Sequence, residues 1–142
     1  MKKILVDINI ILDFLNKRNF YELARQIMQL CSDGKIKGCV CAHEITTLSY
    51  FLEKDKESEI VNKILTSIMN TFAIIPIDEN ILRNALKSQI KDFEDAVIEV
   101  SSLQNKIDCI VSRNIDDFAN SRIKAISPTE FLEIYGEAKN AQ

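Results

Sequence analysis

Short apolar runs alternate with amphipathic stretches along the whole chain. Lys3–Asp7 holds Ile4, Leu5 and Val6 in succession, which predicts a buried strand, and Ile8–Leu15 follows as a short helix with Ile11, Leu12 and Leu15 apolar. Tyr21–Cys31 places Leu23, Ile27, Leu30 and Cys31 at helical spacing, with Asp33-Gly34 as a fitting stop. Gly38–Cys41 reads as a second short strand, and His43–Leu52 as a helix with Leu48, Phe51 and Leu52 apolar. Glu59–Met69 repeats Ile60, Ile64 and Ile68, and Val61 and Leu65, every four residues, an amphipathic helix. Thr71–Ile77 predicts a strand whose Pro76 marks an end or a sheet edge.

Asp78 is placed to cap a helix over Glu79–Ser88. Phe93–Leu103 carries Phe93, Ala96, Val97, Val100 and Leu103 on one helical face. Cys109–Val111 and Ile123–Ile126 predict the last two strands. Ser127-Pro128-Thr129-Glu130 is a capping box with proline at the first helical position, opening a helix through Tyr135. Strands separated by helices in this way imply a parallel sheet with right-handed crossovers. We expect one domain over residues 1–136 and a polar tail over 137–142.

Composition narrows the picture. The chain has 142 residues, 46% of them hydrophobic and 27% charged, enough for a packed core. Its three glycines and two prolines favour helices with short connections over a turn-rich β fold. No apolar stretch approaches the roughly 20 residues of a membrane span. The run after Met1-Lys2-Lys3 is too short for a signal-peptide core of roughly 7–15 apolar residues, so the expected location is cytoplasmic. A net charge of −3 is not the footprint of a constitutive nucleic-acid binder, though an enzyme meeting phosphates through a bound cation need not be basic. Cys31, Cys39, Cys41 and Cys109 form no C-x-x-C pair and read as reduced core residues. Cys39, Cys41 and His43 follow period two, but side chains two apart on a strand lie roughly 6–7 Å apart, wide for one zinc ion.

Candidate chemistry sits at element ends. Asp7 closes the first strand and Asn9 begins the helix after it, in Val6-Asp7-Ile8-Asn9. Asp95 lies in Asp92-Phe93-Glu94-Asp95-Ala96, and Asp116 and Asp117 lie in Val111-Ser112-Arg113-Asn114-Ile115-Asp116-Asp117-Phe118. Singly, these segments read as an N-cap, an acidic first helical turn and a polar turn leaving a strand. Jointly, they place carboxylates where an open α/β sheet builds its sites. Converging carboxylates need a cation, and all-oxygen ligands suit Mg²⁺ or Mn²⁺.

The ordered set resembles the PIN-domain ribonucleases, the fold of the VapC-type toxins, from Lys3 to about Tyr135, including the closing Ser127-Pro128 before Glu130-Phe131-Leu132. The Ser112-Arg113-Asn114 segment is similar to a Ser/Thr-Arg-Asn branch of that family. The resemblance implies a three-layer α/β/α sandwich around a parallel sheet. It also implies Mg²⁺- or Mn²⁺-dependent cleavage of RNA and an antitoxin partner. Asp7, Asp95 and Asp117 would bind metal, and Asn9 and Ser112 would buttress the acids.

The chain departs from the family twice. Aligning Tyr50-Phe51-Leu52 with the family's second motif sets Thr47 where a glutamate usually stands, and Glu44, one turn earlier on the same helix face, can substitute. Asn114 stands where many relatives carry an acid; an amide orients water but adds no charge. Arg113 is placed to meet a phosphate or developing charge. His43 reads better as a helix-start residue making a local hydrogen bond than as a metal ligand. Exposed apolar faces on the early helices are compatible with a homodimer. Two other readings compete: a catalytically degenerate PIN domain that only binds RNA or protein, and an aspartyl-nucleophile phosphatase. The phosphatase would require Asp-x-Asp where this chain has Asp7-Ile8-Asn9.

Overall fold

A computed structural model describes residues 2–136; the predicted polar tail lies outside them. Five strands form one all-parallel sheet: β1 Lys3–Val6, β2 Lys37–Cys41, β3 Ala73–Ile75, β4 Cys109–Val111 and β5 Ala125–Ile126. Their spatial order is β3-β2-β1-β4-β5. The helices are α1 Ile8–Leu15, α2 Tyr21–Ser32, α3 Ala42–Leu52, α4 Ser58–Thr71, α5 Glu79–Ala85, α6 Phe93–Gln104 and α7 Pro128–Tyr135, with one 3-10 turn at Ile115–Phe118.

Strand alternation divides the core into two. Ile4, Val6, Val40, Cys109 and Val111 face a cluster with Ile11 of α1, Ile27 of α2, Leu48 and Leu52 of α3, Ile68 of α4 and Phe131 of α7. Leu5, Cys39, Cys41 and Ile110 face the other way, onto Ile81 and Ala85 of α5 and Ala96, Val97 and Val100 of α6. A sheet covered on both faces needs strands with near-continuous apolar runs, as in Ile4–Val6 of β1 and throughout β4. The expected α/β/α sandwich is therefore the fold. All four cysteines are buried free thiols, and burial pushes those of Cys31 and Cys41 up to about 12, so they are inert core residues.

The boundaries differ where local chemistry overrides periodicity. The expected strand over Thr71–Ile77 shrinks to Ala73–Ile75, because α4 runs on to Thr71 and the Phe72 amide still bonds the Ile68 carbonyl. Pro76 then offers no N–H to extend the ladder. The expected Glu79–Ser88 helix ends at Ala85 in a series of tighter turns. The last strand is two residues rather than four, since only Ile110 and Val111 of β4 pair with it.

The connectivity sets the site. From β1 the chain winds outward through β2 to β3; it then returns to place β4 on the other side of β1. The reversal between β1 and β4 opens a crevice at the C-terminal ends of these strands. α1 and α3 leave strands at that edge, and α6, which feeds β4 from the opposite edge, begins there.

Candidate active site

Asp7 stands at the reversal. Its backbone N–H bonds the Val111 carbonyl at 3.0 Å, which ties it to β4. Its side chain caps α1, accepting from the Asn9 N–H at 3.1 Å, and its other oxygen accepts from Ser112 Oγ at 2.7 Å. Ser112 is fully buried and also accepts from the Asn114 N–H at 3.0 Å, so one hydroxyl joins Asp7 to the loop after β4. Burial pushes the Asp7 carboxyl up, against the Ser112 and Asn9 hydrogen bonds, and Asp117 adds a like charge.

Glu44 lies in the first turn of α3 and is 4% exposed. Its Oε2 is buried without a hydrogen-bond partner. Desolvation first, then a hydrogen bond shared with the Glu94 carboxyl, then the charges of Asp7, Glu94 and Asp95, push its carboxyl up to about 10. Asp95, in the first turn of α6 beyond the Asp92 cap, is pushed up to about 7 by burial and by Asp92, Asp117, Asp7 and Glu94. Asp117 is exposed on the 3-10 turn. Asp7, Glu44, Asp95 and Asp117 therefore share one electrostatic neighbourhood, brought together from four elements. The N-termini of α1, α3 and α6 aim their positive dipole ends at it and offset part of the repulsion. Thr47 instead bonds the His43 carbonyl along its own helix, so Glu44 is the α3 residue that faces the other acids.

An all-oxygen set with a buried, unpartnered carboxylate oxygen and mutually raised carboxyls suits a divalent cation. The tightest convergence, however, is one the sequence reading did not select. Among the described residues, the one group of three or more potential ligands whose donor atoms all lie within 4.8 Å of one another is His43, Glu44 and Glu94. Asp7, Asp95 and Asp117 interact across the crevice at wider spacing.

The chain matches the PIN domain family model over residues 3–116. It belongs to the PIN-domain family. No curated protein matches it. This PIN domain is similar to a toxin–antitoxin complex from Klebsiella pneumoniae, at 21% identity and TM-score 0.66, covering 87% of this chain and 96% of that one. It is similar to VapBC2 of Rickettsia felis bound to a promoter DNA fragment, at 18% identity and TM-score 0.66, covering 88% and 98%. DNA-bound VapBC from Salmonella typhimurium matches at 17% identity and TM-score 0.65, covering 90% and 99%. Likeness at this identity carries the fold.

Arg113 and His43 each make a contact that no local sequence pattern announces. Arg113 pairs with Asp13, a residue of α1 that is 1% exposed, while its charge still acts on the Asp7 carboxyl. Arg113 Nε lies 2.6 Å from Asp13 Oδ2 as a close ion pair rather than an aligned hydrogen bond, and its terminal nitrogen donates to Oδ1 at 3.3 Å. The guanidinium also lies 4.9 Å from the Phe20 ring centre. The His43 carbonyl accepts locally from Thr46 and Thr47, whereas its ring reaches across: Nε2 lies 3.2 Å from the carbonyl of Glu94, on α6. Glu99 of α6 was not singled out either. It is buried, accepts from Ser88 and Arg122, and is held below the usual carboxylate range because those hydrogen bonds outweigh its burial.

Proposed function

We propose that this PIN domain is a metal-dependent endoribonuclease and the toxin of a toxin–antitoxin pair. The observation that carries the reading is the gathering of Asp7, Glu44, Asp95 and Asp117 at the C-terminal edge of the sheet, with Glu44 Oε2 buried and unpartnered. Asp7, Asp95 and Asp117 would hold Mg²⁺ or Mn²⁺, with Glu44 completing the charge. A divalent ion there supplies polarisation of the phosphodiester and a lowered pKa for the attacking water. Ser112 and the Asn9 N–H fix the Asp7 carboxylate in one orientation. Asn114, exposed beside them, would orient water or substrate. With a net charge of −3 the chain would meet RNA chiefly through cation-bridged phosphates, with Arg113 held back by Asp13.

A partner follows from the same reading. Similar structures were solved as toxin–antitoxin complexes, and an arginine of such a partner would find an acidic crevice here. The apolar groove lined by Phe14, Leu15, Met28, Ile64 and Ile68 offers a surface for that partner or for a second copy. A cytoplasmic setting is part of the proposal. Asn114, standing in place of an acid, favours one second reading, a PIN domain that binds RNA or protein without cutting.

The test is RNA cleavage by the purified chain and by Asp7→Asn, with Mg²⁺, with Mn²⁺ and after EDTA. We expect cleavage with either ion, none after EDTA, and none by Asp7→Asn. Full activity in Asp7→Asn removes Asp7 from the mechanism, and activity surviving exhaustive EDTA ends the metal reading. An inert chain that Mn²⁺ does not stabilise would support the binding module.

A further inference from the structure

The resemblance accounts for an all-oxygen site, and an imidazole has no part in it. We propose that His43, Glu44 and Glu94 form a separate site for a divalent ion of borderline softness, with Zn²⁺ as the committed occupant. The proposal rests on the geometry of these three side chains and not on the nuclease reading, with which it shares only Glu44.

Three observations converge. One ligand atom from each of the three residues lies within 4.8 Å of the other two. Ligand atoms about 2.0–2.1 Å from a tetrahedral zinc ion are about 3.4 Å apart, so closure asks the side chains to draw together by up to about 1.5 Å. Glu44 is 4% exposed and its Oε2 has no hydrogen-bond partner. The carboxyl shares a proton-mediated hydrogen bond with Glu94, which a cation could replace, and the bare Oε2 is costly to bury unless something pairs with it.

The third observation is the state of the imidazole. His43 Nε2 lies 3.2 Å from the Glu94 backbone carbonyl, which can only accept, so Nε2 carries the proton. Nδ1 is then the bare nitrogen, and it too is buried without a partner. An imidazole that donates one N–H to a carbonyl and keeps the other nitrogen free is held as metal-binding histidines are held. Neighbours on one helix normally diverge. Here α6 brings Glu94 against the start of α3, and the long side chains of His43 and Glu44 meet it there.

One nitrogen and two carboxylate oxygens favour Zn²⁺, Co²⁺ or Ni²⁺ over Mg²⁺, which prefers oxygen alone and gives up its water reluctantly. Three protein ligands leave a position for water.

The chain has one histidine, so its imidazole nitrogens can be followed without assignment. Record the imidazole ¹⁵N spectrum of the full chain, add Zn²⁺ alone, and measure affinity by calorimetry. We expect a free Nδ1 and a protonated Nε2 before addition, and a shift of Nδ1 that saturates near one equivalent. Mg²⁺ should leave the ring unmoved. Glu94→Gln, at an exposed position that leaves folding intact by circular dichroism, should weaken Zn²⁺ about tenfold or more. Asp7→Asn should keep the shift while losing cleavage, which separates this site from the nuclease reading. An unmoved imidazole at saturating Zn²⁺ overturns the proposal. So does unchanged affinity in Glu94→Gln, or loss of the shift in Asp7→Asn, which would place the ion among the aspartates.

Discussion

Ser112 acts at two points, donating to Asp7 and accepting from Asn114 while fully buried. Ser112→Ala should lower cleavage about 10–100-fold, as loss of a group orienting a metal ligand does. It should cost about 1–3 kcal/mol in urea unfolding, since a buried charge-assisted bond goes unmade. Wild-type cleavage in Ser112→Ala would show that Asp7 needs no such support. Glu44→Gln should reduce cleavage more than Thr47→Ala, because Glu44 is the group near Asp7 and Asp95 whereas Thr47 bonds its own helix. The reverse ranking would mean that the crevice works without a charge from α3. At this scale the sequence marked Asp7, Asp95 and Ser112 through their places at element ends. It left Asp13 and Glu99 unmarked, because their partners Arg113 and Arg122 stand 100 and 23 residues away and no local pattern announces them. Glu94 passed as an ordinary acidic residue in a first helical turn; only the docking of α6 beside α3 gives it His43 as a neighbour.

Between elements, two contacts fix how the layers sit. Asp13 on α1 holds the loop after β4 through Arg113, which is 25% exposed. Asp13→Ala leaves that guanidinium unpaired and should cost about 2–3 kcal/mol, less than a fully buried pair because water reaches the arginine. A loss below about 0.5 kcal/mol in denaturant unfolding would make the pair incidental. Gly38 on β2 is the other contact. A Cβ there would come within 2.6 Å of Cys31 Sγ and 2.8 Å of the Phe72 ring, so α2 and the end of α4 pack directly on strand backbone. Gly38→Ala should destabilise by about 1–3 kcal/mol through overpacking, read as a lowered urea midpoint. Elements were legible because each strand is a short apolar run and several helices open on Asp or Ser. Their ends were less so: Phe72 is held by the last turn of α4 and Ala125 is set by its pairing with β4, not by their own periodicity.

For the whole molecule, the crevice makes folding depend on pH and metal together. Asp95 and Glu44 have folded-state pKa values raised from 3.8 to about 7 and from 4.5 to about 10. The folded protein therefore holds protons that the unfolded chain releases, so stability from these groups is greatest in acid and declines as pH rises through that range. The metal-free melting temperature should fall from about pH 5 to about pH 8, and millimolar Mn²⁺ should flatten the slope by replacing the protons. A flat metal-free profile would mean that the carboxylates do not compete.

The sheet ends in two very short margins. β5 is two residues long, and β3 is three residues with Pro76 directly after it. Neither offers the row of free amides and carbonyls on which a foreign strand could build. Among the described residues, main-chain augmentation, a common way for peptides to join an open sheet, thus finds little edge to build on. A partner would then recognise side chains, such as those lining the Phe14–Ile64 groove or the acidic crevice, while the sheet resists sticking to copies of itself.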